Sequence, residues 1–399
     1  MRLPQHYKIL FFGSIFLALL AMVLVHISTP AGAGLANDSA AYIGGARSIL
    51  AGTGYSDVWL DSSLEPITHY PPLLSILLSM IGFFGIDPLR SIRILDIFFF
   101  GINTILITLL AYKATRNNWL ALWAGALFVF SPALLRVSLF AMSEPLFLVL
   151  SLFSLFLFYT SVEKQWGVKW LVFSGISAAL AILTRYSGLA LLPVAVILIV
   201  LENAPWQQKS QRLTVYVLPV GLLVGAWLLR NRITAGNITN RVLEYHPIDL
   251  DQIASGAYNI SRMLLPYEPL RQAAIRAGVW NGIVTVIIVL AYIGLGVLVT
   301  KVLRKRYITE KDLIPSSFLL YQFSYYSLIF FSITFFDHST RLIDRILAPG
   351  VIILILMAAT LLKQIYEWGE RSIQKYWAAS SRIFILVLAG AALTVSFIG

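Results

Sequence analysis

The chain has 399 residues, of which 58% are hydrophobic and only 12% charged, with a net charge of +11 and no cysteine. Soluble domains carry about 25% charged residues, so this chain cannot clothe a water-facing surface of its size, and disordered, collagen-like and disulfide-stapled classes are excluded with it. The missing cysteine removes thiol catalysis and thiolate metal sites. A basic balance often signals nucleic acid, but here lysine and arginine are better read as markers of membrane topology, and no nucleic-acid partner is expected.

The composition predicts an all-α, polytopic membrane protein forming a single domain over 1–399. The first apolar run, 9–27, follows Arg2 and Lys8 and is long enough to cross a bilayer, which takes about 20 residues. It reads as a retained span rather than a cleaved signal, although Ala31-Gly32-Ala33 has the form of a cleavage site. A long loop, 28–70, comes next. Within it Asn37-Asp38-Ser39-Ala40-Ala41-Tyr42-Ile43 opens a short amphipathic helix, with Ala40, Ile43, Ala46 and Leu50 at helical spacing. Asp38 stands where an N-cap would be. It is equally a candidate general base at the membrane surface.

His69-Tyr70-Pro71-Pro72-Leu73 introduces the apolar segment 71–86. Its 16 residues make a helix of roughly 24 Å, short for a span. Lysine decides its fate. If 71–86 does not cross, all ten lysines fall on the side of the N-terminus, as the positive-inside rule requires. Segment 71–86 is therefore expected to lie in the outer interface. Further spans are expected at 89–111, 119–137, 145–161, 168–184, 187–201, 213–229, 279–300, 313–335, 343–362 and 381–398, about 11 in all. This puts the N-terminus in the cytoplasm and long loops 28–70 and 230–278 on the outer face.

Arginine does not follow lysine: thirteen of the twenty arginines fall outside or at outer helix ends. They either pair with acids there or hold an anionic ligand in guanidinium forks. The chemistry is expected on that face. Glu144, in Ser143-Glu144-Pro145, starts a span, and a carboxylate at that depth is paired or functional; Arg136, across a tight hairpin, is its expected partner. Arg185, in Thr184-Arg185-Tyr186-Ser187-Gly188, has no acidic neighbour in sequence and is a candidate for an anionic headgroup. Arg230 closes the next span. Arg341 and Arg345 are four apart, so a helix starting there would put both on one face, with Asp337 and Asp344 to neutralise them. His69 alone makes no metal site, which needs two or more partners. Asp249-Leu250-Asp251 reads as chance, and the three Asn-x-Ser/Thr sequons, at Asn37, Asn237 and Asn259, matter only in a eukaryotic host.

The order of these motifs resembles the GT-C superfamily of integral membrane glycosyltransferases, in particular the branch of protein O-mannosyltransferases and lipid A aminoarabinose transferases. The carrying residues are Asp38 and Tyr42 in the first loop, His-Tyr-Pro-Pro-Leu at 69–73, Ser143-Glu144-Pro145, Leu-Thr-Arg-Tyr-Ser-Gly-Leu at 183–189, Trp-Leu-Leu-Arg-Asn at 227–231, and Asp344-Arg345 with Pro349. The resemblance spans about residues 1–350. It implies inverting transfer of a sugar from a polyprenyl- or dolichyl-phosphate donor to an acceptor hydroxyl, on protein, lipid or glycan, at the outer face of a plasma (inner) membrane. By the same resemblance Asp38 is the base and Glu144 the second acid. Arg185, Arg230, Arg341 and Arg345 are phosphate ligands, and Tyr42, His69 and Tyr70 face substrate. No cofactor is required; a divalent metal is left open but is not indicated. The usual first-loop Asp-Glu pair is Asp38-Ser39 here. A transporter or flippase for an anionic or lipid-linked substrate, and a polysaccharide polymerase or ligase, are the competing readings.

Overall fold

The computed structural model describes residues 5–58, 63–264, 267–278 and 310–372. The expected spans 279–300 and 381–398 lie outside the described residues.

The described chain is helical apart from one small ribbon. Helix α1 (Gln5–Ser28) is followed by α2 (Asn37–Leu50), the antiparallel strands β1 (Ser56–Val58) and β2 (Leu64–Pro66), α3 (Leu73–Gly82), α4 (Pro88–Thr115), α5 (Asn118–Val129), α6 (Pro132–Val137), α7 (Glu144–Glu163) and α8 (Val168–Thr184). A 3-10 turn (Tyr186–Ala190) leads into α9 (Leu191–Val200). Then come α10 (Trp206–Ala235), α11 (Leu250–Leu264), α12 (Glu268–Arg276), α13 (Glu310–Phe335) and α14 (Asp344–Ser372). Among the described residues six helices are long and apolar enough to cross a membrane: α1, α4, α7, α10, α13 and α14. This is a multi-pass membrane protein.

Polar residues set the helix ends. Asp87 caps α4 by accepting from the Leu89 amide at 2.9 Å, with Pro88 in the first turn. Asn117 accepts from the Trp119 and Leu120 amides and starts α5. The expected span 119–137 is not one helix. Ser131 caps a new start and Pro132 lacks the amide that would continue the ladder, so the run divides into α5 and the short α6. The expected span 187–201 is likewise shorter, ten residues of α9 behind the 3-10 turn.

Segment 71–86 forms only the ten-residue α3, about 15 Å long. Its Leu74 and Leu78 are fully buried, whereas Met80, Phe83 and Phe84 are exposed. This short helix has one apolar face packed and the other exposed. It rests against α2, whose buried face is Ser39, Tyr42, Ile43 and Ala46; Ala40, expected in that stripe, is exposed.

The main core runs through α1, α4, α5, α7, α8, α9, α13 and α14. At one end of the bundle lie basic groups with local acids: Lys113 and Arg116 on Glu163, and Arg212 on Glu202. The other end holds α2, the ribbon, α3, α6, α11 and α12.

Candidate active site

A backbone bridge sets the position of Asp38. Gly34 donates to the Leu139 carbonyl and accepts from the Ala141 amide, both at 2.8 Å. A Cβ on Gly34 would meet the Phe140 ring at 2.8 Å, so glycine permits the approach. This docks the start of α2 on the connection between α6 and α7. Asp38 then lies in the first turn of α2, not at its cap as the spacing suggests. Ser39 turns back to accept from the Ala36 amide at 2.9 Å. The Asp38 carboxylate is free to point elsewhere. Its Oδ1 accepts from the Tyr70 hydroxyl at 3.1 Å and its Oδ2 from Arg345 Nη1 at 2.6 Å.

Behind Asp38 is a buried polar network. Glu144, fully buried, lies 2.7 Å from Arg185 Nη1 and 3.9 Å from Arg345 Nε. Arg185 also donates to Ser143 Oγ at 3.2 Å, and Ser143 Oγ lies 2.9 Å from the Tyr42 hydroxyl. The expected Arg136–Glu144 pair is therefore not made. Arg136 instead approaches Asp344 at 3.4 Å, which Arg262 holds with both carboxylate oxygens at 2.6 Å. Asp344 thus serves Arg136 and Arg262, not Arg345 or Arg341. Nor do Arg341 and Arg345 share a helix face, because α14 begins at Asp344 and leaves Arg341 in the preceding loop.

Two cavities meet at Asp38 and Arg345. The larger, about 650 Å3, is lined by Asp38, Tyr42, His69, Tyr70, Arg185, Arg241, Asp337, Arg341 and Arg345, with an apolar wall from Leu328, Ile329 and Phe331 of α13. The smaller, about 430 Å3, lies against Phe140, Met142, Arg136, Arg262 and Asp344. Both include Asn37, Asp38, Ile343 and Arg345 in their walls. Asp38 and Arg185, 147 residues apart in the chain, line one hollow; Glu144 stands behind it as the partner of Arg185.

Arg230 is not part of that hollow. Its Nη1 donates to the Ile67 carbonyl at 2.9 Å and its Nη2 to the Tyr55 carbonyl at 2.8 Å, and its guanidinium lies over the Trp227 and Tyr55 rings. It clasps the ends of the ribbon. The next corner is tied beside it, with Trp227 Nε1 donating to the Tyr186 hydroxyl at 3.0 Å and Tyr186 donating to the Thr68 carbonyl at 3.2 Å.

Burial, with the Asp38 carboxylate beside it, pushes the Tyr70 phenol up to about 12. Tyr70 is therefore a hydrogen-bond donor to Asp38 at any working pH. Burial lowers the His69 pKa, and the nearby Arg241 charge lowers it further, so the ring is neutral at pH 7. Among the described residues no group of three His, Asp or Glu side chains is placed to hold a metal ion.

Sequence reasoning missed Arg241, Arg262 and Tyr325. Arg241 and Arg262 sit in the second long loop, where six arginines are spread with no motif to single one out. Tyr325, which lines the larger cavity, lies inside an apolar span and reads as core.

Solved structures share this fold. The Archaeoglobus fulgidus oligosaccharyltransferase crystallised with Zn and sulfate superposes with a TM-score of 0.60 at 15% identity, over 97% of this chain and 52% of that one. ArnT from Cupriavidus metallidurans, bound to undecaprenyl phosphate, superposes with a TM-score of 0.54 at 13% identity, over 96% and 74%. The fold is that of the GT-C membrane glycosyltransferases. The archaeal oligosaccharyltransferase AglB, in complex with an inhibitory peptide and a dolichol-phosphate, matches with a TM-score of 0.57 at 13% identity, over 98% of this chain and 55% of its own. The chain spans about half the length of the oligosaccharyltransferases it matches. Residues 66–230 match the family model of dolichyl-phosphate-mannose-protein mannosyltransferases. No curated protein matches the chain significantly in sequence.

Proposed function

We propose that this GT-C chain is an inverting glycosyltransferase. It moves a sugar from a polyprenyl- or dolichyl-phosphate donor to an acceptor hydroxyl at the outer face of a plasma (inner) membrane, with its N-terminus in the cytoplasm. The observation that carries the reading is the meeting of the Asp38 carboxylate with Arg185 and Arg345 in one hollow at the helix ends. The relatives in fold bind dolichol-phosphate and undecaprenyl phosphate, and the family model matched by 66–230 belongs to dolichyl-phosphate-mannose users.

The larger cavity suits the donor. Its apolar wall of Leu328, Ile329 and Phe331 matches a prenyl chain, and its arginines match a phosphate. The smaller cavity, on the other side of Asp38, suits the acceptor. An acceptor hydroxyl approaching from there transfers its proton to Asp38 as its oxygen bonds the anomeric carbon. The bond from that carbon to the phosphate oxygen breaks, and the electron pair leaves on the lipid phosphate. The phosphate gains negative charge during the step, and guanidinium groups fixed around it stabilise that charge. A single displacement inverts the anomeric centre. Because arginines neutralise the one phosphate, the reaction needs no metal cofactor. The partners are the lipid-linked sugar and an acceptor protein, lipid or glycan.

The test is transfer of radiolabelled sugar from a panel of synthetic polyprenyl-phosphate sugars by the purified full chain in nanodiscs. Turnover with at least one donor, lost on Asp38→Asn, is expected. Full activity in Asp38→Asn removes the base assignment, and a chain that only translocates labelled lipid establishes the flippase reading instead.

A further inference from the structure

Four arginines line the larger cavity, and they are not equivalent. Arg185 is 2.7 Å from Glu144 and Arg345 is 2.6 Å from Asp38, so each already faces a carboxylate. An anion reaching either must compete with that acid. Arg341 is exposed at the rim. Arg241 is half-buried and makes no hydrogen bond or ion pair among the described residues, and its Nε is out of reach of solvent without an acceptor. A buried charged donor lacking an acceptor is unfavourable, and an anionic ligand that supplies the acceptor removes the penalty.

The backbone holds Arg241 at this place. It belongs to the strap 236–249 that follows α10. On one side Asn231 Nδ2 donates to the Ile238 carbonyl at 2.8 Å, and the Asn240 amide donates to Asn237 Oδ1 at 2.9 Å. On the other, the Glu244 and His246 amides donate to the Phe335 and Thr334 carbonyls at the end of α13, at 2.9 and 2.7 Å. The guanidinium carbon is 5.8 Å from the centre of the Tyr186 ring, on the cavity wall. The adjoining Val242, Leu243 and Tyr245 are exposed, an apolar flank suited to a lipid surface.

We infer that Arg241 is the guanidinium that grips the phosphate of a polyprenyl-phosphate ligand, while Arg185 and Arg345 hold the two acids of the site in place. The inference rests on the donor class proposed above and adds a binding residue to it. A phosphate seated on Arg241 lies in the same cavity as Asp38 without displacing either ion pair.

The experiment titrates undecaprenyl phosphate into the purified full chain in detergent, followed by thermophoresis, with inorganic phosphate as the competing arm. Wild type is expected to bind the lipid phosphate, and Arg241→Gln to bind about ten- to a hundredfold more weakly, the effect of one charge-assisted hydrogen-bonding group. Arg241→Lys, which keeps the charge but loses the fork, is expected in between. Equal binding by wild type and Arg241→Gln overturns the assignment and leaves the proposed function standing. Absence of binding by wild type overturns both. Inorganic phosphate competing at the same concentration as the lipid overturns the lipid ligand in favour of a free-phosphate site. If Arg241→Gln does not fold, phenylglyoxal modification of wild type, read by peptide mass spectrometry, serves instead. Protection of Arg241 by undecaprenyl phosphate supports the inference, and modification undiminished by the lipid refutes it.

Discussion

Arg345 Nη1 lies 2.6 Å from Asp38 Oδ2, joining the start of α14 to the first turn of α2 across 307 residues of chain. Asp38 receives Tyr70 on its other oxygen, so two donors orient the carboxylate while its remaining lone pairs stay available to a hydroxyl. Asp38→Asn keeps the shape and removes the proposed base. Transfer from the lipid-phosphate donor is expected to fall about 10²- to 10⁴-fold, the usual contribution of a positioned base. The thermal midpoint is expected to change little, because the ion pair is partly exposed, at 31% and 21%, and such pairs contribute about 1 kcal/mol or less. A large loss of stability in the variant would recast Asp38 as a structural residue.

The Glu144–Arg185 pair behaves differently. Glu144 is 2% exposed and Arg185 20%, and removing one partner from a buried pair leaves the other charge stranded. Glu144→Gln is expected to destabilise the protein by about 3 kcal/mol, and Arg185→Gln similarly. The double variant is expected to lose much less than the sum. Thermal unfolding of the four proteins in detergent measures the cycle, and additive losses would show that the two side chains do not depend on each other.

Much of this site is legible along the chain. A carboxylate or guanidinium next to a long apolar run is conspicuous, which is why Asp38, Glu144, Arg185 and Arg345 stand out and do converge. Partner choice is not legible. Arg136 is close to Glu144 in sequence, yet the start of α14 brings Asp344 to Arg136 and the end of α8 brings Arg185 to Glu144. Those choices depend on how helix ends meet in space. That 71–86 is too short for a span is legible in its length, and it forms only the ten-residue α3. The division of 119–137 is written in Ser131-Pro132, a start signal that the apolar count on either side obscures.

Arg230 tests whether an arginine at a helix end must be a ligand. Its two hydrogen bonds to the Ile67 and Tyr55 carbonyls hold the ribbon that carries the chain to His69 and Tyr70. Arg230→Gln is expected to lower stability by about 1.5–3 kcal/mol, the range for hydrogen bonds to a charged group. Affinity for undecaprenyl phosphate, measured on the folded fraction, is expected to stay within about twofold, since this side chain lies outside the cavity, and stability effects of that kind need not reach a distant ligand. A folded variant with a large loss of lipid binding would return Arg230 to the phosphate site.

His69 offers a pH signature of the same cavity. Burial lowers its pKa first and the Arg241 charge second, with Asp337 and Asp38 acting weakly in the opposite direction. In the unfolded chain it titrates near 6.5. Between that value and the lower folded one, the unfolded state binds more protons, so stability rises with pH across the window. The contribution is complete above about 6.5 and is lost as the pH falls through the folded pKa. Thermal midpoints measured from pH 7.5 down to 5 are therefore expected to fall more steeply in wild type than in His69→Gln. Arg241→Gln removes the second cause but leaves burial, so its slope is expected between the two. If Arg241→Gln follows wild type while His69→Gln does not, the guanidinium does not act on the ring and the strap does not sit over the cavity as described.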